Sequence, residues 1–150
     1  MARVFAVLFA FAAMLVPSST KTIKYRDCGS QEGEIVGMDI SPCDSEPCVL
    51  KRGTSVDGSL AFIPHEDLKR AKLSAHAIID KLPLPLPIPS DACQGYGLSC
   101  PVDSGVKSMF KIHQAIESEF PVGNLTLKAA VTDSDTSQVV FCFEVDLEIA

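Results

Sequence analysis

The chain has 150 residues, one domain's worth, with 47% hydrophobic residues, 7% aromatics, no tryptophan and a formal net charge of −6. An acidic surface repels nucleic-acid phosphates and gains nothing from anionic membranes, so composition argues against both as electrostatic partners. The even count of six cysteines fits three disulfides in an oxidising compartment.

The N-terminus opens with the short basic start Met1-Ala2-Arg3. It continues as an unbroken apolar run from Val4 to Val16, followed by Pro17-Ser18-Ser19-Thr20. The run is shorter than the roughly 20 residues that cross a bilayer, and small residues follow it, so residues 1–19 read as a secretory signal peptide. Cleavage is expected within Pro17 to Thr20, leaving 20–150 as the mature domain. Loss of Arg3 takes its net charge to −7. Localisation is expected to be secreted, or the endosomal or lysosomal lumen.

All six cysteines, Cys28, Cys43, Cys48, Cys93, Cys100 and Cys142, fall in the mature part. They allow fifteen pairings, and sequence alone does not choose among them. Proximity suggests Cys43 with Cys48 and Cys93 with Cys100, which leaves Cys28 and Cys142 to join the two ends of the domain. A metal site is not indicated: no Cys-x-x-Cys pair occurs and the three histidines are scattered.

Helical periodicity is nearly absent after residue 20, whereas strand signals recur between turn residues. A short strand is predicted over Ile35–Ile40. Val56–Ile63 is another, opened by Lys51-Arg52-Gly53 and closed by Pro64. Residues 72–79 alternate Leu73, Ala75, Ala77 and Ile79 with a more polar face. Val106–Ile112 is predicted next, anchored by Phe110. Leu125, Leu127, Ala129 and Val131 mark a strand that turns at 133–137 into the clearest one, Val139–Ile149. There Phe141, Phe143, Val145, Leu147 and Ile149 alternate with Glu144, Asp146 and Glu148. Cys142 lies on the non-core face, so its partner should approach from outside the core or from an edge. Six or seven strands at this spacing describe an all-β sandwich.

Between the third and fourth strands lies Leu82-Pro83-Leu84-Pro85-Leu86-Pro87-Ile88-Pro89. A polyproline ligand needs prolines three apart, and these are two apart. In extended chain, Leu82, Leu84, Leu86 and Ile88 form one apolar ridge, and the missing donors confine the segment to an edge or a stiff connection. It is either a rigid flap over the core or one lip of a preformed apolar pocket.

Catalytic chemistry is not indicated. His65-Glu66-Asp67 are adjacent loop residues that do not converge on one point, and His76 and His113 read as solvated or satisfied side chains. There is no nucleophile elbow, phosphate loop or zinc pair. The expectation is a non-enzyme without cofactor or metal. Asn124-Leu125-Thr126 is a glycosylation sequon at a strand start.

These residues carry a resemblance. Asp27-Cys28-Gly29-Ser30, Ser41-Pro42-Cys43 and Glu46-Pro47-Cys48 come first. The proline ladder leads into Cys93, and Cys100-Pro101, Phe120-Pro121 and Phe141-Cys142-Phe143-Glu144 follow. Together they resemble the Niemann-Pick type C2 group of the ML (lipid-recognition) domain family over nearly all of the mature chain. The resemblance implies an immunoglobulin-like β-sandwich of about seven strands with disulfides 28–142, 43–48 and 93–100. It also implies sterol binding between the sheets and sterol or lipid transfer by a monomer. Implied partners are the sterol or another hydrophobic lipid, transient contact with membranes, and a lysosomal membrane sterol transporter or a lipid receptor. The alternative is a secreted recognition module for fatty acids, glycolipids or hydrophobic signals. The ligand-binding candidates are Leu84, Leu86, Phe110, Ile116, Phe120 and Phe143, the last standing where close relatives carry a tryptophan.

Overall fold

The computed structural model describes residues 21–150; the proposed signal peptide at 1–19 lies outside them. Ten strand segments follow one another in the chain: β1 (Lys21–Thr22), β2 (Arg26–Asp27), β3 (Gly33–Ser41), β4 (Cys48–Leu50), β5 (Ser55–Pro64), β6 (Ala71–Ile79), β7 (Leu82–Pro85), β8 (Ser108–Ala115), β9 (Gly123–Asp133) and β10 (Val139–Ile149). Seven of them have four residues or more, and no helix occurs among the described residues. One sheet has the order β1-β3-β5-β8. The other runs β2-β10-β9-β6-β7, with β4 pairing β10 in parallel along the same edge as β2. The two face each other as an immunoglobulin-like sandwich whose inner rows are the alternating apolar residues.

The expected strands are present, some with different limits. β3 starts at Gly33 rather than Ile35, and β8 runs Ser108–Ala115 rather than Val106–Ile112, leaving Val106 exposed. β1, β2 and β4, two or three residues each, are too short to show a period. The β9–β10 hairpin holds ten paired positions with one register shift near Val139.

β7 is an edge strand, as its prolines require. Leu86 N–H donates to Ala75 carbonyl, so by alternation Pro83 and Pro85 direct their missing donors away from β6, where no strand follows. Asp80 and Lys81, both at positive φ (50° and 66°), make the two-residue turn between β6 and β7.

The sandwich closes tightly at one end. Phe141 of β10 lies 4.9 Å from Phe62 of β5 and 5.7 Å from Phe110 of β8, ring centre to ring centre, so one aromatic cluster ties the two sheets. Chain crossing from β2 to β3 runs beside β10: Gln31 and Glu32 N–H both donate to Val139 carbonyl. A Cβ on Gly33 would come within 2.8 Å of Val140 carbonyl oxygen, so only glycine allows this approach.

Three disulfides brace the perimeter: Cys28–Cys142, Cys43–Cys48 and Cys93–Cys100. Cys142 points off the inner face toward Cys28, which lies just beyond the edge segment β2; the Cys28 N–H donates to Cys142 carbonyl. Linking residues 114 apart in sequence stabilises by about 4–5 kcal/mol in the chain-entropy account. On the wet face of the same edge, Arg26 forms a two-point pair with Asp146, which also accepts from Thr126. These bonds hold the Asp146 carboxyl below its usual range.

Two acids are buried at the closed end, Glu32 (7% exposed) and Asp133 (2%). Burial first, then the shared hydrogen bond with Asp133, raise the Glu32 carboxyl above the usual range; Glu66 adds to this and the Thr136 hydroxyl opposes it. Nearby, Arg70 pairs with Asp135 and also feels Asp133. A raised carboxyl means the folded state holds more protons than the unfolded one, so stability is fully present at acid pH and declines as pH rises from the ordinary glutamate range through the raised value. Glu32→Gln should flatten this decline between acid and neutral pH, as read from urea midpoints measured across that range.

Candidate functional site

Away from the aromatic cluster the inner faces do not meet. The strands carry large side chains where the sheets converge, but β6 and β9 present Ala75, Ala77 and Ala129 farther along. The opposing row offers Met38, Leu60, Phe110 and Ile112, which do not reach across completely. A cavity of about 160 Å³ remains between the sheets. Phe110 and Phe143 bound it toward the closed end, and Tyr96 stacks on Phe110 behind it at 5.1 Å.

The mouth is at the opposite end, where the wall residues change from buried to half-buried. Leu86 and Ile88 of the proline ladder form one lip, and Val56, Gln114 and Phe120 stand along the other side with Leu125 and Leu127. The ladder is held in place by its backbone: Leu86 donates to Ala75, Leu73 donates to Ser90, and the Tyr96 hydroxyl donates to Pro89 carbonyl at 2.6 Å. Ile116 is fixed by reciprocal backbone bonding of this loop region, its N–H donating to Thr54 carbonyl and its own carbonyl accepting from Gly53.

Of the sequence candidates, Leu86, Phe110, Ile116, Phe120 and Phe143 all line the cavity. Leu84 stands outside the lining: on β7, opposite Ala77, it is 42% exposed. Several lining residues were not singled out as candidates, notably Ala75, Ala77, Leu125, Leu147 and Ile149. Their signal was present as alternation, which marks an inner face but does not tell core from cavity.

Asp39 and Ser59 border the cavity through their backbone, because their neighbours Met38, Ile40 and Leu60 occupy the inner row. Their side chains share a shallow polar groove on the outer face with Asp57, Lys111 and His113. There His113 Nδ1 lies 2.6 Å from Asp57, both well exposed. His65 and Asp67 bind Ser104 through a carbonyl and a carboxylate, pinning a loop. Among the described residues no group of three or more His, Cys, Asp or Glu side chains is placed to hold a metal. What the cavity can do is take an apolar body out of water.

Comparison with known proteins gives four findings. A family model described as the ML domain matches residues 22–149. The chain is 30% identical over 148 residues to the Bos taurus protein named NPC intracellular cholesterol transporter 2, covering 98% of each. It is 31% identical over 125 residues to the ecdysteroid-regulated 16 kDa protein of Manduca sexta, covering 81% of this chain and 86% of that one. Among solved structures, a Niemann-Pick type C2 protein from the Japanese carpenter ant superposes with a TM-score of 0.79 at 24% identity, covering 85% of this chain and 100% of that one.

The contrast between the two ends of one strand is testable. Ala71 and Ala75 share the inner row of β6, but Ala71 is buried at the closed end and Ala75 faces the cavity. Ala71→Leu should destabilise by about 1–3 kcal/mol through overpacking. Ala75→Leu fills existing space and should leave the thermal midpoint close to that of the wild type, with calorimetry reading both.

Proposed function

The chain belongs to the ML domain family, and on that footing we propose that it binds a sterol or a similar lipid between its sheets and carries it between membranes. The observation that supports this most directly is the cavity itself: apolar apart from Gln114 at its rim, bounded by a rigid proline lip, and open at one end. Burying several hundred Å² of ligand at about 25 cal/mol per Å² yields on the order of 10 kcal/mol before association costs. Ligand pockets usually span about 300–1,000 Å³. At about 160 Å³ the cavity is smaller, so taking up a lipid requires its half-buried walls to move outward while the disulfides and the aromatic cluster hold the rest.

The residues we assign to ligand contact are Leu86, Phe110, Ile116, Phe120 and Phe143, with Leu84 beside the lip. Leu82 and Val122, each 61% exposed, flank this lip and Phe120 in the chain. With the acidic net charge they favour brief apolar contact with a membrane over electrostatic attachment. Residues 1–19 are proposed to direct the chain into the secretory pathway and to be removed there, which suits a fold with three disulfides. Asn124, exposed at the start of β9, is proposed to carry a glycan. Glycosidase treatment of the secreted protein should then shift its gel mobility, and Asn124→Gln should abolish that shift.

Sterol binding is tested with a fluorescent sterol and with transfer between vesicles. The wild type should bind and accelerate transfer, whereas Ala75→Leu should weaken binding at least tenfold with its thermal midpoint retained. Full binding by a folded Ala75→Leu variant would place the ligand elsewhere. Mass spectrometry of lipid extracted from the secreted protein separates sterol from fatty acid, and recovery of fatty acid alone would favour the recognition-module reading.

A further inference from the structure

One residue at the rim of the cavity ends in a polar group: its carbon stem borders the apolar wall, and its carboxamide turns to a backbone carbonyl. By alternation Phe110, Ile112, Gln114 and Ile116 form the inward row of β8 and its extension, and all four border the cavity. The other polar residues bordering it, Asp39 and Ser59, turn their side chains to the outer groove, where the Asp39 carboxylate accepts from the Thr22 hydroxyl at 2.9 Å. Gln114 is therefore the only polar side chain on the inner wall among the described lining residues.

Its position is at the mouth. Gln114 pairs across the strands with Val56, and both are half-buried, while Phe110, four residues further in along β8, is buried. Gln114 Nε2 donates to the carbonyl of adjacent Ala115 at 3.0 Å, the one hydrogen bond this side chain makes among the described residues. A carboxamide has two N–H donors and an acceptor oxygen with two lone pairs, so donor and acceptor capacity remains at the rim of an otherwise apolar cavity. That arrangement suits an amphiphile whose apolar body enters and whose single polar group stops at the opening.

Resting on the reading that the cavity takes a lipid, we propose that Gln114 determines head-group specificity. Its carboxamide hydrogen-bonds the hydroxyl or carboxyl of the bound lipid at the mouth and directs the apolar body toward Phe110 and Phe143. The favoured class is a lipid with one hydrogen-bonding head on an apolar body, over the bare hydrocarbon of the same shape. A neutral hydrogen bond at a half-exposed site corresponds to about two- to tenfold in affinity.

The test compares matched probes on the secreted protein. Cholesterol is set against 5-cholestene, which lacks the hydroxyl, and oleic acid against 1-octadecene; the pair that responds identifies a sterol or a fatty-acyl source. Wild-type protein should prefer the headed member of at least one pair by two- to tenfold. Gln114→Leu and the closer isostere Gln114→Met should lose that preference while binding the headless member at least as well as the wild type. The Met variant keeps the comparison available if Leu disturbs folding. A preference that survives both substitutions, or is absent from the wild type, overturns the assignment to Gln114 and leaves lipid binding standing. Failure of the wild type to take any of the four probes overturns the underlying reading instead.

Discussion

Phe141 is the contact on which the sandwich depends. Among the described residues it is the one ring that touches aromatic partners on two strands of the opposite sheet, Phe62 and Phe110, and all three are buried. Aromatic pairs of this kind add to their area of burial through the geometry of their quadrupoles. Because Phe141 sits near the start of β10, it sets the distance between the sheets at that end. Gly33 then lets the backbone of β3 close on that of β10 with no side chain between. Beyond this cluster the separation is already established, and Ala75, Ala77 and Ala129 are too small to fill it. The cavity follows from a spacing set by phenylalanine and a wall built partly from alanine.

The perimeter keeps that cavity from collapsing or opening at random. Cys43–Cys48 closes the short loop between β3 and β4, and β4 pairs with β10 at Leu147 and Ile149 of the wall. Cys93–Cys100 closes the loop from which Tyr96 stacks on Phe110 and bonds Pro89. Cys28–Cys142 ties the first edge segment to the central hairpin. None of these bonds faces the cavity. They restrict the frame, and the half-buried residues at the mouth remain the part that is free to move. A proline-rich lip lowers the entropy lost when that part becomes ordered around a ligand.

Much of this was legible from the chain. The period of two in 72–79, 125–132 and 139–149 identified three strands and their inner faces. The prolines of 82–89 required an edge, and β7 is one. The three pairings suggested by proximity are those observed. Other features left no local trace. β1, β2 and β4 are too short for a period, and Val106 looked like the start of β8 because an apolar residue beside a strand reads as part of it. Gln114 stood in plain view within the row Phe110, Ile112, Ile116, yet its significance depends on the cavity that row faces.

By itself, the sequence determined the class of fold, the capacity for three disulfides and which face of each long strand is apolar, because these follow from residue spacing and cysteine count along the chain. Only the tertiary structure decided where the inner faces touch and where they part. That depends on which side chains meet across the two sheets: phenylalanines against Phe141 at one end, alanines opposite the β8 row at the other. Alternation shows that a residue points inward, but the volume opposite it belongs to a strand distant in sequence, so core and cavity become distinct only in three dimensions.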